Sequence, residues 1–268
     1  MQNADSNMDY LPAFEHKGSG VPIVLLHGFC GSRRYWYDVL PVLSSHYHVI
    51  VPDLRGHGSS PVSEGTYTME RLADDTLALL DRLKIEKAFV FGHSLSGYST
   101  LAFAEKYPER LLGFGLVHST PLPDTEAGRE GRLKAAAQIR EEGVQAFVDG
   151  LIPKLFAPEH RTSMEQKVKA AKDMGYATSA EGAIGCALGM RDRPDRTDVL
   201  MRTDLPVLLL AGELDEVIPE ERRFPVAHAN ITAVTLPGVG HMGMMEDPAR
   251  FADEIAAFIE KSRGNEGA

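Results

Sequence analysis

Cysteine is almost absent from this 268-residue chain: Cys30 and Cys186 are its two examples, and neither sits in a Cys-x-x-Cys pair. They make neither a disulfide scaffold nor a zinc site, so a reduced, cytoplasmic setting is expected. Basic charge is not in excess. The 28 Lys and Arg against 38 Asp and Glu give a formal charge of −10. No nucleic acid is expected as a partner, because affinity for a phosphate backbone comes from clustered Lys and Arg. Long hydrophobic runs are missing, which argues against a membrane span. The opening stretch MQNADSNMDYLPAFEHKG has no basic region followed by an apolar segment, so no secretory signal is expected. No internal repeat or low-complexity tract is visible, which sets repeat architectures aside.

What is present suits one large core, with 43% hydrophobic residues. The runs VPIVLLHG (21–28), YHVIVPD (47–53), KAFVFGH (87–93), LLGFGLVH (111–118) and LPVLLLAG (205–212) are nearly continuous Val, Leu, Ile and Phe. Such runs suit parallel strands covered on both faces. ITAVTLPG (231–238) reads as a sixth strand nearer an edge. Between them lie amphipathic helices. In 68–84, Met69, Leu72, Ala73, Thr76, Leu77, Leu80 and Leu83 recur at helical spacing. Near the end, Asp247 caps, Pro248 opens the helix, and Phe251, Ile255, Phe258 and Ile259 form its stripe. This alternation predicts an α/β fold with a mostly parallel central sheet flanked by helices.

The rhythm breaks over 121–197, where four helical runs follow one another with no strand between them. An all-helical insertion of this kind is expected to form a lid over a core made of 1–120 and 198–268. Extra structural helices on one sheet face are the plainer alternative. The closing SRGNEGA reads as a frayed tail.

Open α/β sheets bind ligands at the C-terminal ends of their strands. Just past the strands stand HGFCGS, DLRGHGSS, GHSLSG, GELDEVIP and PGVGHMGMMEDP. Ser94, Asp215 and His241 follow in the chain order of a nucleophile-elbow hydrolase. A short Gly-x-Ser match alone carries little weight, since glycine and serine are common in turns. Five such segments, in order and each at a strand end, carry much more. With them the chain resembles the α/β-hydrolase superfamily over essentially its whole length, and within it the small lidded esterases and enol-lactonases.

The resemblance implies roles. Ser94 takes the nucleophile position on a sharp strand-to-helix turn, with Gly92 two residues before it. Two residues after it stands Ser96, where the family most often has Gly. His241 takes the base position and Asp215 the acid that orients it. Glu213, close by in the same segment, is a rival acid, and so is Asp124, since some members place that group after the strand ending near 118. The backbone N–H groups of Phe29 and Leu95 are expected as oxyanion donors. His118, Phe156, Met190 and Met242 are candidate pocket-lining residues, although most apolar residues of the insertion would serve equally as packing. His27, His57 and His93 adjoin turn glycines and read as structural. Asp53 and Arg55 read as a structural ion pair, and Tyr35, Trp36 and Tyr37 as packing of the first helix. Arg129, Arg132 and Arg191 could hold a carboxylate, or simply face solvent.

The expected chemistry is hydrolysis of a small or medium ester or lactone through an acyl-enzyme on Ser94, with no metal and no organic cofactor. Its partner is then a small molecule. A histidine base must be neutral, so activity is expected to rise as pH passes through the histidine range. Three alternatives share the same residues: a carbon–carbon hydrolase or lyase on a carboxylated substrate, a cofactor-free perhydrolase or haloperoxidase, and a ligand-sensing signalling protein. Nothing in the residues favours one oligomeric state.

Overall fold

Seven strands form one sheet in the order β1-β3-β2-β4-β5-β6-β7. The structure is a computed structural model that describes residues 10–264. The strands are β1 (Phe14–Lys17), β2 (Pro22–Leu26), β3 (His48–Pro52), β4 (Ala88–His93), β5 (Leu111–Val117), β6 (Val207–Gly212) and β7 (Ile231–Leu236). All neighbouring pairs are parallel except β1 with β3. Every residue of β4 and β6 is buried, as parallel strands covered on both faces must be. The expected mostly parallel sheet is therefore present. β1 was not anticipated. It is four residues long, partly exposed and paired only along one edge, so it carries no apolar run to read.

Helix Met69–Leu83 buries Met69, Leu72, Ala73, Thr76 and Leu80 of the expected stripe, with Leu77 and Leu83 only partly buried and Leu79 fully buried in addition. The helix starts on the Thr68 hydroxyl cap and ends with Lys84 in the left-handed region. It packs against helix Leu95–Lys106, which follows β4 directly. In helix Pro248–Gly264, Asp247 caps as predicted by accepting from the Arg250 amide. That helix lays Phe258 across the rings of Phe89 and Phe91, at 6.1 and 5.9 Å. Residues 262–264 form its last turn, and residues 265–268 of the expected tail lie outside the described residues.

Between β5 and β6 every regular element is helical. Its long members are Glu126–Leu151, Glu165–Tyr176 and Ala180–Asp192, and the first packs along the last. Gly143, at φ 87° and ψ 166°, breaks the first helix at the boundary between the two runs read from the sequence. Among the described residues no helix is long and apolar enough to cross a membrane.

The expected pair between Asp53 and Arg55 is not formed. Asp53 binds Arg33 and the Ser59 amide, whereas Arg55 binds Asp75 on the buried face of helix Met69–Leu83. Two residues apart on this loop, the side chains reach different neighbours. Tyr35 and Trp36 are buried beneath the loop after β2, while Tyr37 is 39% exposed and donates to Glu15.

Candidate active site

The residue after β4 carries the sharpest backbone feature of the site. Ser94 sits at φ 51° and ψ −113° between the strand and helix Leu95–Lys106. A non-glycine residue in that region stores on the order of 1–3 kcal/mol, supplied by the surrounding fold. The turn survives because its neighbours are small. A Cβ on Gly92 would lie 2.1 Å from the Ser96 carbonyl oxygen, and one on Gly97 would lie 2.3 Å from Ser119 Oγ. The close approach thus falls at 92 and 97, which leaves position 96 free to be serine. Ser96 is fully buried and donates its hydroxyl to the His27 carbonyl, tying the helix start to the loop after β2.

Asp215 follows β6 in a tight turn, and His241 follows β7. His241 Nδ1 stands 2.8 Å from Asp215 Oδ2, and both side chains are buried. The other oxygen, Oδ1, accepts from the Val217 and Ile218 amides at 2.8 and 3.1 Å. Burial alone would raise the Asp215 carboxyl. The charges and hydrogen bonds of His241 and His118 outweigh it and hold the group well below the usual carboxylate range. Neither rival acid touches His241. Glu213 accepts from the Gly238 amide, and Asp124 pairs with Arg132 and Arg193.

His118 was expected at the pocket wall. It is instead fully buried behind the site, with Nδ1 3.4 Å from Asp215 Oδ2 and the Gly243 amide 3.3 Å from its Nε2. Its Nδ1 also accepts from the Gly212 amide, at 3.2 Å. Burial first, and the nearby His241 second to Asp215's opposing pull, leaves its pKa lowered. The ligand atoms of His118, Asp215 and His241 lie within 4.8 Å of one another, so they could reach one metal ion. A metal there would compete for the oxygen that His241 already uses.

The three other histidines at these loops make structural bonds. His27 Nδ1 donates to the Gly28 carbonyl while Nε2 accepts from Leu54, and His57 joins Arg55 to Cys30 in the same way. Burial pushes His57 down to about 3 and His93 well below the ordinary value, so both stay neutral. His93 Nε2 donates to the His241 carbonyl at 2.9 Å.

One residue that sequence reasoning passed over supports His241 from both sides. Glu246 is 5% exposed, and its carboxylate accepts from the amides of Gly240, at 3.1 Å, and Met242, at 3.0 Å. It also accepts from Ala157, at 2.9 Å, and from His160, at 2.6 Å, in the helical segment. The signal was present in GHMGMMEDP as a carboxylate directly after the apolar pair Met244-Met245. The His241 amide itself donates to the Leu155 carbonyl at 2.7 Å.

Ser94 and His241 line one cavity of about 290 Å³, together with Phe29, Leu151, Leu155 and Met190. Phe29 follows the β2 turn, and Leu95 opens a helix, where an amide has no carbonyl within the helix to bond. Of the four candidate lining residues, Met190 reaches the cavity. Phe156 and Met242 do not line it: both are buried in packing, Phe156 with its backbone beside Gly240. Arg132 lines the cavity and Arg129 and Arg191 do not, while Arg193 and Arg222, not anticipated, do. The sequence placed all of these in charged surface-like contexts, and only the fold turned some inward. Burial would raise the Asp124 carboxyl beside them, but Arg132 and Arg193 hold it below the usual range.

Comparison with known proteins agrees with this fold. The sequence profile described as alpha/beta hydrolase fold matches residues 21–248. A thermophilic esterase from Thermogutta terrifontis, solved with malate bound, superposes with a TM-score of 0.89 at 35% identity, covering 93% of each chain. The dihydrolipoyllysine-residue acetyltransferase component of the acetoin cleaving system of Pseudomonas putida is 32% identical over 97% of this chain and 69% of that protein. 3-oxoadipate enol-lactonase 2 of Acinetobacter baylyi is 28% identical over 84% of each.

Proposed function

The chain belongs to the alpha/beta hydrolase fold family, and from that premise we propose that it is a serine hydrolase cleaving small esters or lactones through an acyl-enzyme on Ser94. The observation that carries this reading is one cavity holding both a serine on a strained strand-to-helix turn and a histidine hydrogen-bonded to a buried aspartate. The likeness to an esterase and an enol-lactonase supports the same class.

In the proposed cycle His241 Nε2 takes the Ser94 hydroxyl proton as Oγ attacks the substrate carbonyl. The Phe29 and Leu95 amides receive the oxyanion. Asp215 keeps the His241 proton on Nδ1 and stabilises the imidazolium. The histidine then passes its proton to the leaving alkoxide, which in a lactone remains part of the same molecule. A water deprotonated by His241 attacks the acyl-enzyme, and the acid departs with Ser94 restored. In this scheme residues 121–197 act as a lid over the site.

The test compares wild type with Ser94→Ala on p-nitrophenyl esters and small lactones. A loss on the order of a thousandfold or more in kcat, with the melting profile retained, is the expected result. Retention of most activity by the variant would remove Ser94 from the mechanism.

A further inference from the structure

Four charged side chains line the cavity: Arg132, Arg193 and Arg222 against Asp124 alone. Three positive groups around one negative group are unusual for a chain of net charge −10. The three guanidiniums are not equivalent. Arg193 is spent on the protein. It donates to the Leu122 and Met190 carbonyls, pairs with Asp124 at 2.8 Å and stacks on Tyr98 at 3.8 Å. Arg132 uses only Nε, towards Asp124 at 3.0 Å. Arg222 donates one N–H to the Pro123 carbonyl, and among the described residues no carboxylate lies within ion-pair reach of it. Two guanidiniums with unspent donors therefore border the cavity that Ser94 and His241 share.

An arginine holds a carboxylate with paired, planar N–H groups, more strongly than a neutral acceptor. Resting on the serine-hydrolase reading above, we infer that the substrate is an ester or lactone bearing a second, ionised carboxylate, which Arg222 and Arg132 hold while Ser94 attacks the other carbonyl. The apolar wall of Leu151, Leu155 and Met190 then covers the short carbon chain between the two ends. The carboxylate takes no part in bond breaking. Hydrolysis consumes one water and releases an acid and an alcohol, so a half-ester would leave as a dicarboxylate.

The experiment uses two esters of matched length, p-nitrophenyl hydrogen glutarate and p-nitrophenyl pentanoate, which differ at the chain end as carboxylate against methyl. Wild type should favour the anionic ester by about tenfold or more in kcat/KM. Arg222→Gln should bring that ratio close to one, Arg222→Lys should restore part of it, and the exposed, remote Arg202→Gln should keep the wild-type ratio. The ratio is internal to each protein, so partial misfolding of a variant does not mimic the result. Free glutarate should also inhibit wild type competitively and pentanoate far less, a readout that needs no variant. Equal or poorer use of the anionic ester, with equal inhibition by the two acids, overturns the inference and leaves the hydrolase reading standing. If neither ester turns over and a fluorophosphonate probe does not label Ser94, the hydrolase reading fails and the inference falls with it.

Discussion

Ser94, Asp215 and His241 stand on loops after β4, β6 and β7, whereas Arg132, Leu151, Leu155 and Met190 come from the helical segment between β5 and β6. Ser94 and His241 share a cavity with the second group, but the two groups are held by different means. The strand-end loops inherit their spacing from neighbouring parallel strands, of which β4 and β6 are buried throughout. The helices are placed by packing on one another, with Gly143 bending the longest of them. On the proposed reading, the difference separates two tasks: rigid positioning of the reacting groups on the sheet, and selection of substrate by a wall that varies without disturbing the chemistry.

The separation is incomplete at one seam. The Leu155 carbonyl receives the His241 amide, and Ala157 and His160 both donate to Glu246. Residues 155–160 thus belong with the support of His241. If the segment opens as a lid, this stretch is its fixed end.

Among changes that probe the comparison of the two regions, the largest expected effect comes from breaking that seam. Glu246→Gln replaces an oxygen that accepts several N–H groups with an amide that donates, so the loop carrying His241 should shift. Steady-state kinetics should show kcat falling by up to about 10²-fold, and urea unfolding should show a loss of about 1–3 kcal/mol. A variant with wild-type kcat would show that the two regions are independent after all. A smaller change should sharpen the contrast. Met190→Ala enlarges the helical wall, and an ester chain-length series should show KM shifting by about tenfold at its optimum, more than kcat shifts. An equal fall in kcat for every chain length would place Met190 with the reacting groups instead.

The smallest expected effect concerns acid stability. Asp124 ionises below its ordinary range when folded, so the unfolded chain takes up the proton first as pH falls. Its contribution is present above the ordinary carboxylate range and is lost below it. Between about pH 5 and pH 3 the wild-type melting temperature should fall, and Asp124→Asn should show a shallower fall over that window. Parallel slopes would mean that the pair with Arg132 and Arg193 is not coupled to folding. Asp215 is held low in the same sense and adds to the wild-type slope.

Much of the fold was legible because its signals are local. Apolar runs marked six of the seven strands, and β1 escaped because an edge strand of four residues has no periodicity to show. Gly92 beside Ser94, and Asp247 before Pro248, are short-range turn and cap chemistry, and each occurs where it was read. Glu246 was passed over because its four partners lie on two separate loops. His118 and Met242 adjoin site segments in the sequence and Phe156 belongs to the helical insertion, yet all three are buried in packing and none lines the cavity.

The sequence by itself determined the alternation of strands and helices, the strained turn at Ser94 and the order in which the polar residues meet the sheet edge, because hydrophobic periodicity and turn sterics act over a few residues. Only the tertiary structure decided that Asp215, and not Glu213 or Asp124, meets His241. It alone decided that Arg132 and Arg222 border the cavity while Arg129 and Arg191 do not. Those outcomes depend on where long side chains from distant segments come to rest once the sheet and the helices have packed.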